Sequence, residues 1–140
     1  MNIKKIYPNK LLLVFIPAKP LCLIISQNNR IILGDNKKKL NLEITDNNLP
    51  IVFGSNNINK IFEVVNLLKS SQLDFNSIKN INFFKSERFD VVFKNEVTVK
   101  FPIKYSKEMI DHSSKLLNDL KFANSKIIDL RINNRIIKYE

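Results

Sequence analysis

Arg88-Phe89-Asp90-Val91-Val92-Phe93-Lys94-Asn95-Glu96-Val97-Thr98-Val99-Lys100-Phe101-Pro102 is the stretch from which the fold is read. Two runs rich in valine and phenylalanine, 89–93 and 97–101, flank Lys94-Asn95-Glu96, which predicts a β-hairpin. In the second run Val97, Val99 and Phe101 share one side and Thr98 and Lys100 the other, the period of two of a half-buried strand. Just upstream, 78–83 begins another β region. Before that, Ile58, Ile61, Phe62, Val65 and Leu68, with Val64 and Leu67 beside them, recur at helical spacing and predict one helix over 57–70. Ser55 to Asn57 supply side-chain oxygens suited to its N-cap.

Further out, 49–54 is a short apolar segment closed by Gly54. Residues 2–7 and 11–16 read as β segments around Pro8-Asn9, followed by apolar runs at 21–25 and 30–33 and a solvated polar loop from Gly34 to Lys39. Downstream of the hairpin, Met109, Ile110, Leu116, Leu117 and Leu120 predict a second helix from Ser106 to about Phe122. The segments 127–132 and 135–139 predict a terminal hairpin around Asn133-Asn134. Short turns between consecutive strands imply an α+β fold, a largely antiparallel twisted sheet with two helices packed on it.

The chain has 140 residues, 44% of them hydrophobic, which excludes intrinsic disorder and is enough for a core without covalent staples. One cysteine, Cys22, excludes an internal disulfide and any multi-cysteine metal site, and its apolar run points to a buried, inert thiol. Asp111-His112-Ser113 holds the letters of a nucleophilic triad. Neighbours on a helix point about 100° apart, however, so they cannot act as nucleophile, base and orienter. With one histidine and two glycines there is neither a zinc set nor a phosphate-cradling loop, so no enzyme is read here. The apolar run 11–16 is far shorter than the ~20 residues of a membrane helix, and no cleavage site follows it.

The net charge of +10 suggests nucleic acid, but the chain has 23 Lys+Arg of which only Arg30, Arg88, Arg131 and Arg135 are arginine, the residue that best matches phosphates and base edges. Lysine, asparagine and isoleucine dominate, as AT-rich codons supply. Phe83, Phe84, Phe89 and Phe93 interleave with Lys79, Lys85 and Arg88, but their spacing fits strand core positions better than stacking platforms.

At the hairpin and the C-terminus the sequence resembles a known family. The stretch 88–102 is similar to a segment of the FtsQ/DivIB cell-division family, where an Arg-aromatic pair opens a strand, a turn with Asn follows, and a Val-rich strand ends near Pro. Leu49-Pro50-Ile51-Val52-Phe53-Gly54 resembles that family's Leu-Pro-x-x-x-Gly segment, and Ile128-Asp129-Leu130-Arg131 its Asp-Leu-Arg. Tyr7-Pro8-Asn9-Lys10-Leu11 is similar to the aromatic-Pro-Asn turn late in the preceding POTRA domain. The chain departs from the pattern at Pro17-Ala18-Lys19, at Gly34-Asp35, and at Glu96, where the hairpin turn usually has Gly.

The resemblance implies that 1–19 are the last strands of a truncated POTRA domain and 20–140 an FtsQ-like β domain. It implies a noncatalytic scaffold of the bacterial divisome, at the septum, on the periplasmic side of the inner membrane, with the anchor helix outside these residues. The implied partners are the FtsB–FtsL pair, joined by strand addition beside the C-terminal strand. The residues it points to are Arg88, Arg131, Ile132, Asn134, Arg135, Ile136, Ile137, Lys138 and Tyr139. The lysines of 1–40 would then meet anionic headgroups weakly. No cofactor or metal is expected. The alternative is a basic single-stranded nucleic-acid binder; an export or outer-membrane assembly chaperone would need repeated POTRA units.

Overall fold

A computed structural model describes residues 2–6, 10–14, 17–41, 48–119, 124, 126–132 and 137–139. Strands β1 (Asn2–Ile6) and β2 (Lys10–Val14) pair antiparallel as a two-stranded sheet of their own. Among the described residues the larger sheet has nine strands: β3 (Pro20–Ser26), β4 (Asn29–Gly34), β5 (Lys39–Leu40), β6 (Ile51–Phe53), β7 (Ile78–Phe83), β8 (Phe89–Phe93), β9 (Thr98–Phe101), β10 (Ile127–Asp129) and β11 (Ile137–Tyr139). Helix α1 (Ile58–Ser70) joins β6 to β7, and α2 (Lys107–Asn118) lies between β9 and β10.

The order across the sheet is β11-β10-β9-β8-β7-β6-β3-β4-β5. Three neighbouring pairs, β3–β6, β6–β7 and β9–β10, run parallel, so the sheet is mixed rather than largely antiparallel. Parallel neighbours need a crossover: α1 carries the chain from β6 to β7 and α2 from β9 towards β10, while β3 and β6 are separated in the chain by β4 and β5. The two predicted helices are therefore connections as well as a covering layer.

Both helices begin as their sequences dictate. The Asn57 side chain accepts a hydrogen bond from the Lys60 N–H (3.3 Å), and the Ser106 hydroxyl accepts one from the Met109 N–H (3.2 Å). Helix α2 stops at Asn118, short of the expected Phe122, with Asp119 already extended; 120–123 lie outside the described residues. The polar loop 34–39 ends in β5, which the sequence reading did not anticipate. Among the described residues no helix is long and apolar enough to cross a membrane.

One core joins the helices to a single sheet face. Ile61, Val64, Val65 and Leu68 of α1 and Ile110 and Leu116 of α2 pack with Ile24, Val52, Ile81, Val91, Val99 and Ile128. Phe89 stacks on Phe101 (5.0 Å between ring centres) and meets the edge of Tyr105 (5.1 Å). Cys22 is fully buried in this core, and burial pushes its thiol pKa up to about 12. Phe83 and Phe93 are buried too, which removes them as stacking platforms; of that quartet only Phe84 is exposed.

The turns β7–β8 and β8–β9 are copies of one device. In the first, Phe84 N–H donates to the Arg88 carbonyl and Glu87 N–H to that of Phe84; in the second, Phe93 N–H donates to Val97 and Glu96 N–H to Phe93. Glu87 and Glu96 both sit at φ 69°, the left-handed position that favours glycine. Glycine is kept at Gly54, where φ is 83° and a Cβ would overlap the carbonyl oxygen of Phe83.

Candidate functional site

The side of the sheet facing away from the helices carries a row of charge. Asp90 of β8 pairs in register with Lys100 of β9, and Lys100 with Asp129 of β10. Their neighbours Phe89, Val91, Val99, Phe101 and Ile128 point into the core, so alternation places all three on the opposite face. Asp90 is 6% exposed and Asp129 3%, and buried carboxylates require partners. Each has an arginine two residues away on its own chain segment, hence on the same face.

Arg88 Nη1 donates to Asp90 Oδ1 at 3.0 Å. Its guanidinium also lies 4.0 Å from the centre of the Phe84 ring. Arg131 holds Asp129 with two bonds, Nε to Oδ1 at 2.9 Å and Nη2 to Oδ2 at 2.6 Å, and its backbone N–H adds a third at 3.0 Å. The carboxyls respond in opposite directions. Burial raises the Asp90 pKa against the pull of Arg88, Lys100 and Arg131, with Asp129 adding to the rise. The hydrogen bonds from Arg131 lower that of Asp129 despite burial, with Lys100 lowering it further.

Chain direction brings the arginines together. Strand β8 runs opposite to β9 and β10, so the residue before Asp90 and the residues after Lys100 and Asp129 lie at the same end of the sheet. Arg88, Pro102, Ile103, Lys104 and Arg131 line one cleft there, of about 510 Å³. Ile103 is 52% exposed, and Ile132, just past Arg131, is 48% exposed. Of the residues named from the sequence, the structure places Arg88 and Arg131 on this cleft and Ile132 next to Arg131; the sequence reading did not name Asp90, Asp129, Lys100 or the 102–104 wall. The available signal was the inverted order, Arg-x-Asp at β8 and Asp-x-Arg at β10, which runs the opposite way two strands along.

Beside the cleft the sheet ends. Among the described residues β11 is the outermost strand, paired only with β10: Asp129 lies opposite Ile137, Ile128 opposite Lys138, and Ile127 opposite Tyr139. Leu130 N–H donates to the Lys100 carbonyl, and Lys126 carbonyl accepts from Thr98 N–H. The even-numbered residues of 126–130 thus face β9 and the odd-numbered ones face β11. Ile137 and Tyr139 then turn their backbone groups inward, and Lys138 turns its N–H and C=O to the open edge. Ile137 is half-buried. Asn134, Arg135 and Ile136, three of the expected site residues, lie outside the described residues.

Among the described residues there is no cluster of His, Cys, Asp and Glu that would hold a metal ion. His112 is exposed on α2, and the Ser113 hydroxyl is buried, donating to the Ile110 carbonyl at 2.6 Å, so the triad-like letters do not converge.

Three comparisons bear on this geometry. Residues 24–131 match the family model described as "Cell division protein FtsQ/DivIB, C-terminal". A solved structure, the major extracytoplasmic domain of the trans isomer of the bacterial cell division protein DivIB from Geobacillus stearothermophilus, is similar in fold with a TM-score of 0.57 at 14% identity, covering 76% of this chain and 97% of that one. No curated protein sequence matches the chain.

Proposed function

The chain belongs to the FtsQ/DivIB family of cell-division proteins, and on that premise we propose that it is a noncatalytic divisome scaffold domain that recruits an FtsB/FtsL-like partner by strand addition at β11. The observation that carries the reading is the adjacency of the open β11 edge to the cleft where Arg88 and Arg131 converge. An added strand would bond to the backbone of Lys138, giving affinity, and a partner carboxylate in the cleft would meet the two guanidinium groups, giving register. Ile103 on the cleft wall and Ile132 next to Arg131 offer exposed apolar surface. In this reading the β1–β2 pair is the end of a POTRA domain, residues from about 20 onward form the β domain, and the domain works on the periplasmic side of the inner membrane.

The test is calorimetric titration of a peptide from the membrane-external part of an FtsB-like protein against the parent and Lys138→Pro, which removes the outward N–H without touching the inward ladder. Binding by the parent and a clear loss in the variant is expected. Equal binding by both, or none by the parent, would sink the edge-strand reading.

A further inference from the structure

The charge row beneath the cleft alternates in sign across three strands: Asp90 on β8 with Arg88 just before it, Lys100 on β9, and Asp129 on β10 with Arg131 just after it. Two carboxylates nearly out of water, two strands apart, repel each other across a medium that screens poorly. The cation between them is Lys100, half-buried and in register with both. Asn82 of β7, opposite Asp90, brings no charge. The groups facing Asp90 are therefore Arg88, Lys100, Arg131 and Asp129.

We propose that Lys100 is the positioning residue of this cleft: it keeps both carboxylates ionised, and so keeps Arg88 and Arg131 anchored at its rim. The inference deepens the docking role proposed for the cleft. It locates the control of docking on a side chain beneath the cleft, on the strand between the two arginine-bearing segments. Asp90 is the weaker anchor. It accepts a single bond of 3.0 Å from Arg88, where Asp129 accepts two from the Arg131 side chain. Loss of the Lys100 charge should therefore let Asp90 take up a proton first. A protonated Asp90 no longer attracts Arg88 as an anion, and the Arg88 guanidinium is left to Phe84 and water. The cleft would then keep one fixed arginine instead of two, in a manner that depends on pH.

The experiment compares the parent, Lys100→Met and Lys100→Arg by NMR, following the Asp90 carboxyl carbon and the Arg88 Nε–Hε signal from pH 3 to 7 without any partner. The expected result in Lys100→Met is an upward move of the Asp90 midpoint by about one unit and averaging of the Arg88 signal at a higher pH than in the parent. Lys100→Arg should behave as the parent. If Lys100→Met does not fold, Lys100→Gln is read in the same way. An unchanged Asp90 midpoint in the neutral variants overturns the proposal, as does equal disturbance by Lys100→Arg, which would assign the effect to shape. The FtsB-like peptide is then titrated against parent and Lys100→Met at pH 5 and pH 7. A larger loss for the variant at pH 5 supports the proposal, and a loss independent of pH counts against it. Failure of the parent to bind the peptide strikes the docking role alone, because the partner-free titration still decides whether Lys100 holds the cleft.

Discussion

The two ends of the nine-stranded sheet have nearly the same backbone and very different surroundings. At one end β5 is two residues long; Gly34 N–H donates to the Lys38 carbonyl at 2.8 Å, so Lys39 turns its backbone groups outward. At the other, β11 is three residues long and Lys138 does the same. Each edge thus offers a lysine backbone to an incoming strand, and edge lysines also discourage promiscuous pairing. What differs is the neighbourhood. Beside β5 lie Lys37, Lys38 and Asp35 on a tight turn. Beside β11 lies a cleft whose arginines are held by buried carboxylates. The lesson is that an open ladder provides adhesion at either end, whereas fixed side chains decide which end has a preferred partner.

That contrast can be broken most forcefully at Arg131. Arg131→Ala should weaken the FtsB-like peptide about tenfold to a hundredfold, since a hydrogen bond to a charged group contributes about 1.5–3 kcal/mol. Alanine at Lys37, Lys38 and Lys39 together should leave the affinity within about twofold, because those charges are exposed and screened. Equal losses in calorimetry would mean that generic positive charge, not the cleft, attracts the peptide. Next in size is the backbone. Lys138→Pro should cost about tenfold in affinity, of the order of one hydrogen bond, and Lys39→Pro should cost nothing measurable by the same titration.

The pair of carboxylates beside β11 gives the third test, by pH. Asp90 should titrate above the ordinary aspartate value of about 3.9 and Asp129 below it. The signs follow from linkage. A raised folded pKa means that protonating Asp90 favours the folded state, so its contribution improves as pH falls through that value. A lowered folded pKa means that the Asp129 contribution is complete above the unfolded value and is lost as pH falls through the folded one. Urea melts should therefore show little loss just above pH 4 and a drop below it. A single shared midpoint for the two carboxyls in a carbon NMR titration would contradict this. The smallest effect is at the β5 turn. Lys37 sits at φ 66°, so Lys37→Gly should gain up to about 1 kcal/mol in urea melts. It should leave peptide binding unchanged, which would show that firming an edge does not make it a docking site.

Much of this architecture was legible from periodicity. The helix expected over 57–70 is Ile58–Ser70 with Asn57 as its cap, and the hairpin of 89–93 and 97–101 is present with its turn where expected. Neighbour relations were not legible. Alternating apolar residues reveal that a strand has one buried face but not which strand lies beside it, so the parallel partners of β3, β6, β7, β9 and β10 escaped a reading built on short turns. The site was half legible for a similar reason. Arg88 and Arg131 were named through the family resemblance, but that their carboxylate partners flank one lysine is a matter of strand register, which only the assembled sheet reveals. The DivIB domain shares the fold at 14% identity, so the overall arrangement is not tied to particular letters.

The buried Cys22 has a practical consequence. As the chain's single thiol, sealed in β3 with its pKa pushed up to about 12, it hardly reacts with alkylating or disulfide reagents while the sheet is closed. The rate at which such a reagent labels the native protein therefore counts openings of the sheet around β3, without denaturant and without an engineered reporter. Recorded with and without a partner on β11, that rate would reveal whether docking at one edge tightens a strand six places away across the sheet.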